Sequence, residues 1–292
     1  MYKKEWNMVL QLSAFADEAS ANFAEQIAAL REERIPFIEL RGLDGKNVAD
    51  LTDAEAETYA EMLKKGGIRV WSIGSPLGKI GIDDDFAQHL RKAERVYRLA
   101  KIFATDKVRV FSFYTSSPEK DAEKVYARMA EMAALAEKYG VKLYHENEKE
   151  IFGDRAERCL SLLKRVPGLG CVFDPANFVQ CGEDIPAALS LLGGRIDYYH
   201  VKDALYAGGE VVPAGLGDGH VAEMIAQIGG DTVLTLEPHL AVFDGYAGID
   251  HTQLKNKFAY PSQRAAFAAA AEALRGLLKG TGFREENEKW IK

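Results

Sequence analysis

The chain has 292 residues, enough for a substantial core and within the size that one α/β barrel fills. Its 44 acidic residues outnumber 37 basic ones for a formal net charge of -7, which gives no general attraction for nucleic acid or an anionic membrane. Cys159, Cys171 and Cys181 are odd in number and lack CxxC spacing, so a disulfide framework or thiolate metal site is not expected, and a reducing compartment is.

Along the chain, short β-rich runs alternate with amphipathic helical stretches. The N-terminal MYKKEWNMVLQLSAFADE is basic and then apolar, but its apolar part is short, interrupted by Gln11 and followed at once by acidic residues. It reads as a first strand, MVLQLSAF, and the protein as cytoplasmic. The helical pattern NFAEQIAALREER follows, with apolar residues near i, i+3 and i+4. The next strands are PFIELR, RVWSIG and KVRVFSFY. DAEKVYARMAEMAALAEKYG is a clear helix with Gly140 as its stop signal. Then come VKLYHE, LGCVFD, DYYHV and TVLTLE, and a closing helix, PSQRAAFAAAAEALRGLLKG. No apolar run approaches the ~20 residues of a membrane-spanning helix.

Eight strand-helix units, the absence of a GxGxxG signature after the first strand and the lack of an internal linker predict a single-domain (β/α)8 TIM barrel over residues 1–292. The main irregularity is the connection from Ala241 to Tyr260. It follows the eighth strand on the active-site side of such a barrel, which suits a lid or a contact in a homo-oligomer.

Four strands end in metal-ligand residue types: VKLYHE at Glu146, LGCVFD at Asp174, DYYH at His200 and TVLTLE at Glu237. A single acidic residue at a strand end is more often a helix cap or an ion-pair partner. Four at successive strand ends are different, because a closed parallel barrel brings those ends to one mouth although 28, 26 and 37 positions separate them. Three crowded carboxylates repel one another, and a hard divalent cation is the usual remedy. Oxygen ligands with one imidazole suit Mn2+ first, with Mg2+, Co2+ or Zn2+ as alternatives.

The motifs LYHEN, FDPANF, YYHVKD, PAGLGDG and TLEPH resemble those of the xylose-isomerase-like barrels, specifically the sugar phosphate isomerase/epimerase superfamily that includes ketose 3-epimerases, hydroxypyruvate isomerase and inosose-processing enzymes. The resemblance covers nearly the whole chain. It implies that Glu146, Asp174, His200 and Glu237 bind one divalent metal and that Glu146 and Glu237 double as the acid/base pair. Asn177 stands where ketose 3-epimerases carry a histidine, and Phe152 where they carry a further glutamate.

A metal bound to adjacent oxygens of a hydroxycarbonyl stabilises the enediolate formed when the α proton leaves. Proton return then gives epimerisation or isomerisation of a small sugar, keto-sugar or cyclitol. The same species can instead expel a β-leaving group, so a lyase or deglycosylating hydrolase acting on a keto-sugar is the alternative. An apurinic-site endonuclease, the remote alternative, fits poorly with only six histidines and net acidity.

For substrate contacts, Lys202 lies two residues beyond His200 on the same side of its strand, and Asn177 offers an amide to a sugar hydroxyl. Glu39 and Arg41 end the second strand as a candidate clamp or as a mutual ion pair. Phe15 and Ser75, with Ser13 and Lys79, fall at the tips of the first and third strands, where an aromatic wall and polar partners suit a polyol. PAGLGDG reads as a phosphate cradle or, more simply, as a turn. His89 and His145 are expected to serve packing, while His239 and His251 follow the eighth strand near the mouth.

Overall fold

A computed structural model describes residues 8–241 and 258–292. The expected alternation is present as eight strands: β1 (Val9–Ala14), β2 (Phe37–Leu40), β3 (Arg69–Gly74), β4 (Lys107–Val110), β5 (Lys142–Glu146), β6 (Gly170–Phe173), β7 (Tyr198–Val201) and β8 (Thr232–Leu236). Their ladders are parallel and run β1-β8-β7-β6-β5-β4-β3-β2. Apolar residues on both faces are buried, as a sheet covered outside by helices and filled inside by its own side chains requires.

The helices are α1 (Phe23–Glu32), α2 (Asp53–Gly66), α3 (Phe86–Ile102), α4 (Pro118–Lys138), α5 (Ala156–Arg165), α6 (Pro175–Gln180), α7 (Ile185–Leu192), α8 (Val221–Gln227) and α9 (Gln263–Gly280). Local chemistry sets their ends. Asn22 accepts the Glu25 N–H at 3.1 Å, and Thr52 and Glu55 form a reciprocal capping box. The helix expected to stop on Gly140 ends at Lys138, and Gly140 follows with a φ of +63°.

A C-terminal hairpin, β9 (Arg284–Glu286) and β10 (Lys289–Ile291), has no counterpart in the sequence reading. Asn287 and Glu288 make its turn with φ of +49° and +62°, the conformation of a two-residue hairpin loop. β10 pairs antiparallel with Val9, Leu10 and Gln11 of β1. It thereby takes the first half of the β1 edge that would face β2. Among the described residues β1 and β2 pack side by side with no backbone ladder between them.

The loops above the strand ends are braced from outside the barrel. His89 of α3 accepts the Gly78 N–H on Nε2 at 2.9 Å, and burial pushes this imidazole down to about 4, so it stays neutral and able to accept. A Cβ on Gly78, whose φ is +89°, would lie 2.0 Å from the Phe111 carbonyl oxygen. Only glycine lets this loop settle against β4, and Lys79 is placed by it. Most of the 241–260 connection, and His251 with it, lies outside the described residues. Among the described residues no helix is long and apolar enough to cross a membrane.

Trp290 of β10 is 1 % exposed and is the largest fully buried side chain among the described residues. Trp290→Ala is expected to cost ~3–5 kcal/mol in urea denaturation, because the cavity it leaves lies beneath the hairpin that closes the β1 edge. A loss below ~1 kcal/mol would show that the hairpin is dispensable.

Candidate metal centre

Strand alternation builds the centre in layers. Tyr144, Val172, Tyr198 and Val233 form an apolar cluster. Two residues beyond the first three stand Glu146, Asp174 and His200, on the same side of β5, β6 and β7. Glu237 follows β8. The four residues are 2 %, 0 %, 0 % and 3 % exposed, and one ligand atom from each lies within 4.8 Å of the others.

Each side chain has one polar atom anchored and one unsatisfied. Glu146 Oε1 accepts from Asn177 Nδ2 at 3.1 Å, and Glu237 Oε1 accepts from Arg41 Nη1 at 2.8 Å. Asp174 Oδ1 accepts the Asn177 N–H at 2.9 Å and caps α6, while His200 Nε2 meets Glu39 Oε2 at 3.2 Å. The remaining atoms, Glu146 Oε2, Asp174 Oδ2, His200 Nδ1 and Glu237 Oε2, are buried without a hydrogen bond. Asp174 is thus both a helix cap and a candidate ligand, one oxygen for each. The four atoms have ion-pair contacts only, His200 Nδ1 with Glu237 Oε2 at 3.0 Å among them, and a divalent cation would satisfy all four, so the residues present fit one.

The electrostatics point the same way. Burial opposes a charge on His200, yet Glu146 and Glu39 hold its imidazole well above the usual range. Burial likewise resists ionisation of Glu237, but Lys202 and His200 keep its carboxyl well below the normal value. Glu146 is held down by His200 and Arg109 against the same burial cost. For Asp174 burial prevails over the pull of Lys202, and its carboxyl is raised. The centre therefore attracts positive charge, and Lys202 Nζ already stands 3.0 Å from Asp174 Oδ2 and 3.6 Å from Glu237 Oε2.

A second group of ligand types, Glu18, Glu237 and His239, adjoins the first. The Arg41 guanidinium occupies it, with Nη1 on Glu237 and Nη2 on Glu18 at 3.1 Å. Burial also pushes the Glu18 carboxyl up to about 8 against the pull of Arg41, so that group is near neutral.

The other expected residues are more dispersed. Glu39 and Arg41 do not pair with each other. Glu39 lies beneath His200, with its oxygens taken by Tyr198 Oη at 2.9 Å, Thr235 Oγ1 at 3.0 Å and the imidazole. It is placed to orient His200, not to meet a substrate. Arg41 also grips Asp17 through Nε at 2.8 Å and Nη2 at 3.0 Å. Phe15 packs edge-on to His200, with ring centres 5.2 Å apart, and carries Arg41 4.2 Å above its face. The Ser75 hydroxyl donates to the Arg109 carbonyl at 2.6 Å, and the Asn177 amide donates to Glu146 and the Asn147 carbonyl. Both polar groups are engaged within the protein, and Ser75 also lines a cavity beside the centre. Lys202 pairs with Asp174 and not with its neighbour Asp203.

Sequence reading missed Arg109, Asp17, Glu18 and Asn147. Arg109 Nε lies 3.1 Å from Glu146 Oε2, and Asn147 bonds Asp174 through both backbone groups, at 2.8 and 2.9 Å. An arginine inside the apolar run KVRVF was a signal for the first. The acids in SAFADE were a signal for the second and third.

PAGLGDG is a turn and not a phosphate cradle. The N–H groups of Gly215, Gly217 and Gly219 all donate to the Asp203 carboxylate, at 2.8, 3.0 and 2.8 Å. Asp203→Ala strips three N–H donors, that of Gly219 buried, of their acceptor and is expected to cost about 3 kcal/mol in chemical denaturation, with faster proteolysis at 213–219. A loss under ~1 kcal/mol would mean that water replaces the carboxylate.

None of the curated protein sequences matches the chain. Among solved structures, IolI with a bound zinc atom aligns with a TM-score of 0.73 at 15% identity, covering 93% of this chain and 99% of that one. L-ribulose 3-epimerase aligns with a TM-score of 0.71 at 18% identity, covering 94% and 95%. The probable 3-DHS dehydratase AsbF of Bacillus anthracis gives 0.68 at 19% identity, covering 91% and 98%. At these identities the likeness is one of fold. Residues 27–275 match the family of xylose isomerase-like TIM barrels, and the chain belongs to that family.

Proposed function

We propose that the protein is a divalent-metal-dependent isomerase or epimerase of a small sugar, keto-sugar or cyclitol. The observation that carries this reading is the set of four buried, unsatisfied ligand atoms on Glu146, Asp174, His200 and Glu237. When bound there, a cation such as Mn2+ supplies Lewis-acid stabilisation to negative charge developing on adjacent oxygens of a hydroxycarbonyl substrate. The zinc atom of IolI and the epimerase among the similar folds accord with this reading.

The protein's own contribution is to hold two ionised carboxylates in place. Glu146 is fixed by Asn177 and Arg109, and Glu237 by Arg41. They stand on β5 and after β8, strands that two others separate in the ladder, so a substrate between them meets a base on each side. Glu39 holds the His200 Nε2 proton and so keeps Nδ1 directed at the centre. Lys202 is placed to neutralise Asp174 or to hold a substrate oxygen. Burial of all these groups excludes water and keeps their geometry fixed.

The ligand assignment is tested by elemental analysis of unchelated protein. Asp174→Ala and His200→Ala are each expected to lose the metal that the wild type carries; full occupancy in both would refute the site. The acid/base assignment predicts that Glu146→Gln and Glu237→Gln keep much of the metal yet lose ~100- to 10,000-fold in α-proton exchange, scored in D2O over a panel of keto-sugars and inososes. Wild-type exchange rates in both variants would move that role elsewhere. Release of water or an aglycone, in place of deuterium uptake into an isomer, would make the protein a lyase.

A further inference from the structure

Beside the four-residue centre, at the C-terminal ends of β2, β3 and β4, lies a cavity of about 270 Å³. Arg41, Lys46, Lys79 and Arg109 line it, and Asp17 is the only acid among its lining residues. Two of these cations border the metal centre directly, since Arg41 holds Glu237 and Arg109 faces Glu146. The cavity and the centre are therefore two parts of one mouth.

Most of this positive charge is matched within the protein. Arg41 is held by Asp17, Glu18 and Glu237, Lys46 by Glu55, and Lys79 by Glu148 at 3.2 Å. Arg109 differs. It is 4 % exposed, yet its side chain makes a single hydrogen bond among the described residues, from Nη1 to the Ser75 carbonyl at 3.1 Å. Its Nε faces Glu146 without hydrogen-bond geometry. Its Nη2 lies beside Gly74, a cavity-lining position at which an added Cβ would come within 3.3 Å of it.

The counter-charge of Arg109 is also shared. Glu146 is a ligand in the proposed metal centre, and a carboxylate committed to a divalent cation leaves little charge for a guanidinium. A second cation borders the same part of the cavity, as Arg109 Cζ and Lys79 Nζ each lie 4.4 Å from the centre of the Phe111 ring. A neutral hydroxyl would satisfy an N–H but leave this buried charge with only a carboxylate that the proposed cation shares. An anionic oxygen would answer both needs.

We infer that the substrate carries an anionic group, a carboxylate or a phosphate, at the end remote from its hydroxycarbonyl, and that Arg109 Nη2 and Lys79 receive it in this cavity. The inference rests on the proposed metal-dependent reading and narrows its substrate class to sugar acids or sugar phosphates.

Three 2-ketoses that differ only at C6 test it: D-fructose, D-fructuronate and D-fructose 6-phosphate, titrated calorimetrically into Mn2+-loaded protein. At least one acid is expected to bind roughly tenfold tighter than fructose, and the stronger of the two identifies the anion. Arg109→Gln is expected to bring that ligand to within about threefold of fructose, while Arg109→Lys keeps part of the preference. If Arg109→Gln does not fold by circular dichroism, Lys79→Gln serves the same comparison. Equal affinity for all three probes, no binding of either acid, or a preference that survives both glutamine substitutions overturns the inference. Metal content is measured on the same samples. Bound metal without anion preference refutes the inference and leaves the metal-dependent reading intact; anion preference in protein that takes up no metal does the reverse.

Discussion

Negative charge at the mouth of the barrel has to be neutralised inside the protein, because Glu39, Glu146, Asp174 and Glu237 are 1 %, 2 %, 0 % and 3 % exposed. Water cannot screen them, and an unpaired carboxylate at that depth costs several kcal/mol. Each therefore has a positive partner from another strand, and several partners are shared. Arg41 comes from the end of β2, Arg109 from β4, and His200 and Lys202 from β7. These pairs cross the barrel mouth, so folding of the strands and assembly of the site are one event. Breaking one pair leaves a buried charge behind and would be felt at both.

The partners do not saturate the carboxylates. Glu146, Asp174 and Glu237 are each fixed by a hydrogen bond on one oxygen, while the other oxygen meets Arg109, Lys202 or His200 only as an ion-pair contact without hydrogen-bond geometry and stays directed at a common point. The layer beneath enforces it. Tyr198 and Thr235 fix Glu39, Glu39 fixes His200, and Phe15 packs against the imidazole from the side. The histidine has no freedom to turn its Nδ1 elsewhere. Preorganisation of this kind places the cost of orientation in folding and not in each binding event.

Short, continuously apolar or β-branched runs made the eight strands legible, and the four ligand-type residues were legible because each interrupts such a run at its end. What the sequence does not encode locally is depth. Glu39 and Arg41 sit two apart on one face, and spacing alone gives them the same role; the structure sends Arg41 to the mouth and Glu39 one layer below, next to a register shift in the β2–β3 ladder at Ile38/Glu39. Partner choice is equally non-local. The Asn177 amide looked available to a sugar, but Asn147 and Glu146, thirty-odd positions earlier in the chain, already use it. The C-terminal hairpin went unread because REENEKWI is polar, short and lacks the Asn-Gly turn that would have announced it.

The mouth is divided between its two halves. Strands β5 to β8 supply the ligand types, while the cations on the β2 to β4 side border the cavity. The two positions at which the chain departs from ketose 3-epimerases bear on this division. Asn177 orients Glu146, and Phe152 is 2 % exposed, with its N–H on the Phe113 carbonyl and its ring edge-on to Tyr126. Both are buried and engaged within the barrel wall. On the proposed reading, discrimination between substrates would fall to the side where Arg109 lines the cavity, and there a buried cation with one hydrogen bond favours charge over hydroxyl pattern.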